Sequence, residues 1–365
     1  MQIIDRRLIG QIDWTLIAVT LMLAAIGLAT IYSATYTQGF YIYNKHISWL
    51  IIGGLFFLIA LILDYNMLNR YGYVIYGFSI FMLVYVLVLG HEIAGTYRWI
   101  SLGFIRFQPS EFAKLALIVA LAKHFSTKNI TSKGLTIKDL IKPAILLIVP
   151  FLLVAKEPDL GTALVFALIF ASMILVIKVN TKTLIYSILA FSPIFPLAWM
   201  SLKTYQKARL LSFLSPSSNT LGQGYHLLQS KIAIGSGGFL GKGYTNGTQG
   251  TLRFLPEHHT DFIFPIFAEE WGFLGSFILI MLFIMLILRG LNAAGLSKDR
   301  FGFLVALGIS IMFFWHAIIN LAMVCGLMPV VGMPLPFLSY GGSFLIASLI
   351  GIGILVNIGM RRFIF

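Results

Sequence analysis

Charged side chains are scarce in this sequence. Asp, Glu, Lys and Arg together make up 11% of its 365 residues, whereas a soluble domain carries roughly a quarter. Hydrophobic residues make up 59%, and the mean hydropathy is +0.92. This balance excludes a soluble globular protein. Because the apolar residues form continuous runs rather than short alternating segments, a β-barrel is excluded as well, and the sequence predicts an all-α polytopic membrane protein.

The sequence has a single cysteine, and it shows neither a signal-peptide cleavage pattern nor a nucleotide-binding loop. The single cysteine, Cys325, cannot form an intrachain disulfide. No small-residue cleavage pattern follows the long first apolar run, which argues against a removable signal peptide. The Gly-dense segment 235–250 lacks the preceding strand and the GK[ST] ending of a phosphate-binding loop. No internal repeat of the kind found in many transporters is visible.

Ten apolar runs are candidates for membrane spans, since a span needs about twenty mainly apolar residues. They lie near residues 14–33, 47–63, 72–90, 109–123, 143–155, 160–177, 183–200, 264–288, 302–324 and 338–359. An even number of spans places both termini on the same side. The runs that begin at 109 and 143 are short, so they are expected to tilt, to extend into their flanks or to enclose part of a cavity.

Basic residues outnumber acidic ones by 26 to 13, which gives a formal net charge of +13. They lie in loops between apolar runs, so the excess indicates membrane orientation rather than nucleic-acid binding. The short loops on one side hold few cations, namely Lys45, Arg98, Arg106 and Lys156. The opposite side, which carries both termini, is therefore predicted to be cytoplasmic.

Residues 201–263 form a long connection between the seventh and eighth predicted spans, on the external side. Two segments in it, 205–216 and 224–235, carry apolar residues on a possible helical face. Such segments lie either in the outer membrane interface, beside anionic headgroups, or over the bundle as covering helices. Long loops contribute little to orientation, so the cations in this one do not change the assignment.

One carboxylate stands where the long loop meets the eighth span. Asp261 closes a polar segment within RFLPEHHTDFIFPIFAEEWGFLG (residues 253–275) and precedes a long apolar run. A carboxylate at the mouth of a cavity acts as a general base toward a hydroxyl or binds a divalent metal. The alternative is an interfacial Asp that caps the following helix. Glu269 and Glu270, about two turns into the run, are predicted to be buried and hydrogen-bonded rather than reactive.

Glu111, Lys114 and Asp159 stand at the starts of two other apolar runs. Glu111 and Lys114 are three residues apart and share one helical face, and Asp159 begins the sixth span. An ion pair of Lys114 with either carboxylate would make burial of these charges tolerable. Such a pair either lines a cavity or pins helices together, and we predict that it lines the cavity.

Arg98 and Arg106 follow the third span on the external side. Guanidinium binds phosphate oxygens in a bidentate fork, so these residues suit a diphosphate. Arg209 in the long loop is a further candidate for the same anion. The alternative for Arg98 is snorkelling at the interface beside Trp99.

Four separated segments resemble signature segments of the SEDS family, the shape, elongation, division and sporulation proteins. They are GTYRWISLGFIRFQPSE (95–111), HTDFIF (259–264), AEEWGFLG (268–275) and PLPFLSYGGS (334–343). The resemblance covers essentially the whole chain, in order. The short N-terminus and compact length are more similar to the elongation branch, RodA, than to the division branch, FtsW.

The resemblance implies a function for the chain. SEDS proteins polymerise peptidoglycan glycan strands from lipid II at the outer leaflet, as inverting glycosyltransferases that release undecaprenyl diphosphate. The resemblance assigns catalysis to Asp261 and a cavity-lining role to Glu111, Lys114 and Asp159. A divalent cation, Mg²⁺ or Mn²⁺, is expected to neutralise the leaving group together with Arg98. The family also implies a class B penicillin-binding protein as partner.

A competing interpretation is a carrier, either a lipid II flippase or another secondary transporter. Polar residues along a membrane cavity suit a carrier equally well. The missing repeat, the carboxylates toward the external side and the long external loop favour the polymerase. A scaffold without catalysis is a third interpretation. Strand synthesis in the absence of a transmembrane gradient separates polymerase from carrier.

Overall fold

The computed structural model is mostly helical. It describes residues 10–36, 39–93, 96–102, 105–128, 134–177, 179–183, 185–186, 207, 213, 223–248 and 259–362. Within these residues the main helices are α1 (Trp14–Thr35), α2 (Tyr41–Ile62), α3 (Tyr65–Leu89), α4 (Pro109–Ser126), α5 (Ile137–Lys156), α6 (Leu160–Val176), α7 (Gln223–Ser236), α8 (Ile263–Gly295), α9 (Arg300–Val324) and α10 (Gly342–Met360). Three short strands are β1 (His91–Ile93), β2 (Thr96–Leu102) and β3 (Ile105–Phe107).

The helices coincide with the predicted spans wherever the chain is described. Six of them are both long and apolar enough to cross a membrane, namely α1, α2, α3, α8, α9 and α10. The predicted span 183–200 lies almost wholly outside the described residues. A polytopic, mostly helical membrane protein is therefore confirmed, whereas the count of ten spans and the external position of 201–263 stay predictions.

The short predicted span at 143–155 extends into its N-terminal flank. Helix α5 has 20 residues and begins at Ile137, because Thr136 and Asp139 form a capping box ahead of it. The Asp139 carboxylate accepts hydrogen bonds from the Thr136 backbone N–H at 3.1 Å and from its hydroxyl at 2.7 Å. Reciprocal capping satisfies two backbone donors that a helix start otherwise leaves open.

A small antiparallel sheet follows α3, which the all-α prediction did not include. Strand β2 pairs with β1 on one side and with β3 on the other. Ser101 is opposite Arg106 and Ile100 is opposite Phe107 in the second pairing. The sheet satisfies the backbone groups of the connection between α3 and α4, and it fixes the direction in which the chain enters α4.

Helices α4, α9 and α10 form the centre of the bundle, since most of their residues are buried. The apolar windows of α10 and α9 are 94% and 78% buried, whereas that of α2 is 17% buried. Helix α10 packs along α2, and α9 packs against α4, α6 and α8. Helices α2, α3 and α8 carry many exposed apolar side chains, as expected for surfaces that face lipid. Polar residues on α4 and α9 therefore lie in the protein interior.

Helix α7 corresponds to the loop segment 224–235, and it covers the bundle. Leu227, Ser230 and Ala233 are buried on one face, and the helix packs against α8 and α9. The Ser230 hydroxyl donates to the carbonyl of Val324 at 2.7 Å. These contacts agree with a covering role for that segment, and an interfacial position stays a prediction. Segment 205–216 lies almost entirely outside the described residues.

Helix α1 approaches the connection between α9 and α10 at backbone contact. A Cβ on Gly27 would lie 2.2 Å from the carbonyl oxygen of Phe337 and 2.9 Å from the Cα of Leu338. Only glycine allows this approach, because the obstructing atoms belong to a backbone that cannot rotate away. The contact holds the connection against the bundle.

We therefore expect Gly27→Ala to lower the thermal stability of the purified protein in detergent. The added methyl group forces the two backbones apart, at a cost of about 1–3 kcal/mol. Gly77→Ala is the matched control, because no atom lies within 4 Å of a Cβ at that helical glycine. The control should gain about 0.5–1 kcal/mol from the lower entropy of its unfolded chain. Equal melting temperatures for the two variants would contradict the close approach.

Candidate active site

Asp261 lies two residues before Ile263, the first residue of α8. The N-cap residue is Phe262, whose own side chain makes no capping hydrogen bond. Asp261 is therefore not the N-cap residue of α8. The Asp261 side chain is partly exposed, and one of its carboxylate oxygens would lie 3.2 Å from a Cβ at Gly332. Gly332 has a φ of +72°, so this glycine leaves the space that the carboxylate occupies.

The backbone around Asp261 is bonded to the connection between α9 and α10. Asn320 of α9 donates to the Asp261 carbonyl at 2.9 Å. The Ser339 hydroxyl donates to the carbonyl of Thr260 at 2.6 Å, and the Tyr340 N–H donates to that of His259 at 2.9 Å. The segment before α8 is thus fixed although it is not part of a helix.

Glu111 and Lys114 form the predicted ion pair inside the bundle. The Lys114 ammonium lies 2.8 Å from a Glu111 carboxylate oxygen, and both side chains are almost fully buried. It also lies 2.8 Å from Nε2 of His316 on α9. An ammonium has no acceptor lone pair, so Nε2 must accept and His316 is the neutral tautomer with its proton on Nδ1. The cation is therefore shared between α4 and α9.

Asp159 lies at the start of α6, as predicted, and the structure shows it to be the N-cap residue. It accepts from the Thr162 N–H at 3.1 Å and from the Thr162 hydroxyl at 2.9 Å. Arg98 of β2 lies 3.5 Å from the same carboxylate, and the Gln108 amide also reaches it at 3.5 Å. Of the two predicted ion-pair partners of Lys114, the structure selects Glu111, while Asp159 pairs with Arg98.

Arg98 is directed toward the turn between α5 and α6. Its Nε donates to the Glu157 carbonyl at 3.1 Å, and one terminal nitrogen donates to the carbonyl of Pro158. Three groups of this turn therefore orient a guanidinium that is still 25% exposed. Arg106, in contrast, is exposed, and Arg209 lies outside the described residues.

Glu157 lies beneath Arg98 and is almost fully buried. Burial raises the pKa of its carboxyl to about 8; the charge of Asp159 adds to the rise, and Arg98 opposes it. The group is therefore mainly protonated at neutral pH in the folded protein. Its neutrality leaves Arg98 with a single carboxylate partner, Asp159.

Glu269 and Glu270 are buried and hydrogen-bonded, as predicted. One oxygen of Glu269 accepts from the Lys242 ammonium at 2.6 Å, and from the Thr248 N–H and hydroxyl at 3.0 and 2.8 Å. The Ser33 hydroxyl of α1 donates to Glu270. Both carboxylates thus bind neighbouring segments rather than an open site.

The Gly-rich segment after α7 donates hydrogen bonds to backbone carbonyls at a break in α8. Gly272 has a φ of +65°, which interrupts the helical hydrogen bonds. The carbonyls of Glu269 and Glu270, at the break, accept from the N–H groups of Lys242 and Gly243, each at 3.0 Å. This backbone pairing is the structural role of a segment whose glycines suggest a phosphate-binding loop only superficially.

The sequence interpretation missed three residues of the polar interior: His316, Asn320 and Glu157. His316 and Asn320 are four residues apart inside an apolar run, so they share one face of α9. Ionisable and amide groups at membrane depth are candidates for function by default, and that signal could have found both. Glu157 carries no such signal, because its burial depends on the turn packing under β2.

A divalent cation has few protein ligands available in this region. Among the described residues, no three His, Cys, Asp or Glu side chains gather as a metal site. Mg²⁺ commonly uses one or two carboxylates, with substrate phosphates and water supplying the remaining oxygens. The partly exposed Asp261 carboxylate fits a cation of that kind, held largely by a diphosphate.

Comparison with known proteins places the chain among membrane proteins of the bacterial cell cycle. The family described as cell cycle protein, FtsW/RodA/SpoVE, matches residues 13–363. The peptidoglycan glycosyltransferase MrdB of Escherichia coli K12 is 42% identical over 289 residues, which cover 79% of this chain and 77% of MrdB. The peptidoglycan glycosyltransferase RodA of Treponema pallidum is 32% identical over 430 aligned positions, which cover 97% and 99% of the two chains.

A solved structure shares the same architecture. A chain in the structure of a peptidoglycan synthase complex, described as coordinating polymerization and crosslinking, superposes with a TM-score of 0.83. It is 34% identical, and the match covers 97% of this chain and 99% of that one. Nearly complete coverage in sequence and in structure confirms the resemblance found in the four motifs. The chain therefore belongs to the FtsW/RodA/SpoVE family of SEDS proteins, and within it resembles the MrdB and RodA glycosyltransferases.

Proposed function

We propose that the protein polymerises peptidoglycan glycan strands from lipid II at the outer leaflet of the cytoplasmic membrane, in support of cell elongation. The 4-hydroxyl of one N-acetylglucosamine attacks the anomeric carbon of an N-acetylmuramic acid. The new glycosidic bond forms as the bond to undecaprenyl diphosphate breaks, and the anomeric centre inverts. The observation that carries the proposal is Asp261 in a backbone segment fixed by α9, within a family whose named members are peptidoglycan glycosyltransferases.

Asp261 accepts the proton of the attacking hydroxyl, or positions that hydroxyl. Support comes from its partly exposed carboxylate, from its position outside the N-cap of α8, and from its backbone being held by Asn320. A positioned general base contributes about 10²–10⁴-fold in rate. A divalent cation, when bound, supplies electrostatic stabilisation of the diphosphate leaving group.

Arg98 binds the anionic end of the substrate. The turn at 157–159 orients its guanidinium, and a quarter of the side chain remains accessible. Because Glu157 is mainly protonated at neutral pH, the positive charge of Arg98 is not cancelled by a second carboxylate. A preoriented cation stabilises the negative charge that develops on the leaving group.

The site faces outward and works with a crosslinking enzyme. The distribution of basic residues supports a cytoplasmic position for both termini. With that orientation, Asp261, Arg98 and Asp159 lie toward the external side. The related chain from a peptidoglycan synthase complex supports a class B penicillin-binding protein as partner. The polymerase extends strands while that transpeptidase crosslinks their peptides.

We expect Asp261→Asn and Asp261→Ala to abolish strand synthesis from purified lipid II. Loss of the carboxylate removes a base worth about 10²–10⁴-fold. The assay is performed in detergent with Mg²⁺ or Mn²⁺, with and without a class B partner, and strands are separated on gels. Asp64→Asn, at the partly exposed N-cap of α3, is the matched control. It should retain activity, because Asn also caps helices and the ion pair with Arg361 that it loses lies away from Asp261.

Two results would reject parts of this proposal. Full activity in Asp261→Asn would remove Asp261 from the mechanism. If the wild-type protein makes no strands even with its partner, fluorescent lipid II should be tested for translocation in liposomes. Movement across the bilayer would then establish the carrier in place of the polymerase.

A metal requirement is expected to accompany strand synthesis. Removing divalent cations with a chelator should abolish activity, and Mg²⁺ or Mn²⁺ should restore it, because the diphosphate charge is otherwise unscreened at the reaction centre. Lipid II binding and polymerisation are measured separately across a cation titration. Undiminished polymerisation in excess chelator would show that the reaction needs no cation.

The pH dependence of substrate binding should report Glu157. Its pKa of about 8 in the folded protein means that the carboxyl ionises as the pH rises past that value. The new negative charge beside Arg98 weakens the attraction for a diphosphate, so the KM for lipid II should increase between pH 7 and pH 9. Glu157→Gln stays neutral and should show a flat KM across that range. A rise of the same size in both proteins would exclude Glu157 as its source.

A further inference from the structure

We infer that Asn320 and Ser339 are positioning residues for the reaction, which act by holding the backbone that carries Asp261. The inference rests on the proposed function, since it assigns a purpose to the contacts around its candidate base. Their polar atoms bond to the backbone carbonyls of Asp261 and Thr260.

Asn320 ties three parts of the chain together. Its side chain is fully buried on α9, and its Nδ2 donates to the Asp261 carbonyl at 2.9 Å and to the Met333 carbonyl at 2.6 Å. Both hydrogens of the amide are therefore used. The residue fixes the chain before α8 to the connection between α9 and α10, using the central helix of the bundle as the anchor.

Ser339 and Tyr340 extend this brace to the two preceding residues. The Ser339 hydroxyl donates to the Thr260 carbonyl at 2.6 Å and accepts from the Leu335 N–H at 2.8 Å. The Tyr340 N–H donates to the His259 carbonyl. Three successive carbonyls, at His259, Thr260 and Asp261, are thus held by α9 and the 333–340 segment, although none of the three belongs to a regular helix.

This arrangement limits where the carboxylate can lie. The contact with Gly332 restricts it from one side, because one Asp261 oxygen would lie only 3.2 Å from a Cβ at that position. Gly332 directly precedes Met333, whose carbonyl also binds Asn320. The Asn320 amide therefore fixes the distance between the backbone of Asp261 and Gly332, the glycine next to the Asp261 carboxylate.

A general base is effective only when it lies within hydrogen-bonding distance of the hydroxyl that it deprotonates. Misplacement by about 1 Å can cost on the order of a hundredfold in rate. Loss of either donor removes a hydrogen bond from a backbone carbonyl of this segment and permits residues 259–261 to shift. The expected consequence of losing Asn320 or Ser339 is a displaced Asp261 carboxylate, because neither residue is proposed to contact the substrate.

Asn357 provides a control with the same chemistry at a different place. It is fully buried on α10, and its Nδ2, which carries two N–H donors, lies 3.1, 2.7 and 2.5 Å from the carbonyl oxygens of Ala60, Leu61 and Leu63. It braces the chain between α2 and α3. Asn357→Leu and Asn320→Leu therefore each remove a buried amide that binds backbone carbonyls, and only Asn320 supports the candidate base.

The test compares Asn320→Leu, Ser339→Ala and Asn357→Leu with the wild type and with Asp261→Asn. Each protein is purified with its partner, and kcat and KM for lipid II are measured on the folded, monodisperse fraction. We expect Asn320→Leu to lower kcat by about tenfold to a hundredfold, with KM unchanged, and Ser339→Ala to lower it in the same direction. Asn357→Leu should lose thermal stability but keep its kcat.

A second readout does not depend on activity. Hydrogen exchange measured by mass spectrometry should show faster exchange in peptides that begin at residue 259 in Asn320→Leu and Ser339→Ala, but not in Asn357→Leu. If Asn320→Leu fails to fold, Ser339→Ala, which removes only a hydroxyl, is judged by the same two readouts.

The outcomes separate the inference from the proposed function. If the wild type is active, Asp261→Asn is inactive, and both brace variants keep full kcat, the inference is wrong while the function stands. Equal loss of kcat in Asn320→Leu and Asn357→Leu would also overturn it, because the effect would then be general destabilisation. An inactive wild type would remove the proposed function, and the inference with it.

Discussion

The buried ammonium of Lys114 is the group on which the polar interior depends. Its side chain is almost fully buried inside a membrane bundle, so its charge depends on the protein atoms that surround it. Glu111 supplies the opposite charge from the same face of α4, and His316 supplies a neutral acceptor from α9. Separating α4 from α9 would leave this charge partly unpaired. The contact therefore fixes the register of α4 against α9. The positions of other polar groups, such as Asn320 on α9, depend on that register.

Helix α9 connects the ion pair of Lys114 to the backbone of the candidate base, Asp261. His316 binds the Lys114 ammonium, and Asn320, one turn further on, binds the Asp261 carbonyl. The helix is largely buried between α4, α6 and α8, so its side chains reach several elements at once. Because an α-helix is stiff over one turn, the ion pair and the brace of Asp261 share one rigid support. This makes α9 the structural link between the polar centre of the bundle and the start of α8.

Irregular backbone in this protein is found where it is bonded to other segments. The turn at 157–159 binds Arg98, the Gly-rich segment after α7 fills the break in α8, and the connection between α9 and α10 holds residues 259–261. Non-helical chain at membrane depth is tolerated only when its polar groups find partners inside the protein. The need to satisfy backbone polar groups also brings Arg98 to the turn that contains Glu157 and Asp159. For the same reason Asp261 lies in a segment whose backbone is hydrogen-bonded to α9.

Much of this structure follows from local sequence pattern. The length of apolar runs predicts the helices. The spacing of Glu111 and Lys114 places them on one helical face, and the position of Asp159 predicts the start of a span, because each depends on residues close in sequence. The choice of Glu111 over Asp159 as the partner of Lys114 came from the structure. The orientation, the ten spans and the role of Arg209 remain predictions. The partners of Lys114 on α9, the brace formed by Asn320 and Ser339, the burial of Glu157 and the small sheet were decided by tertiary structure. Those contacts join residues that are as many as 202 positions apart, and their geometry depends on how the helices pack, which local periodicity does not contain.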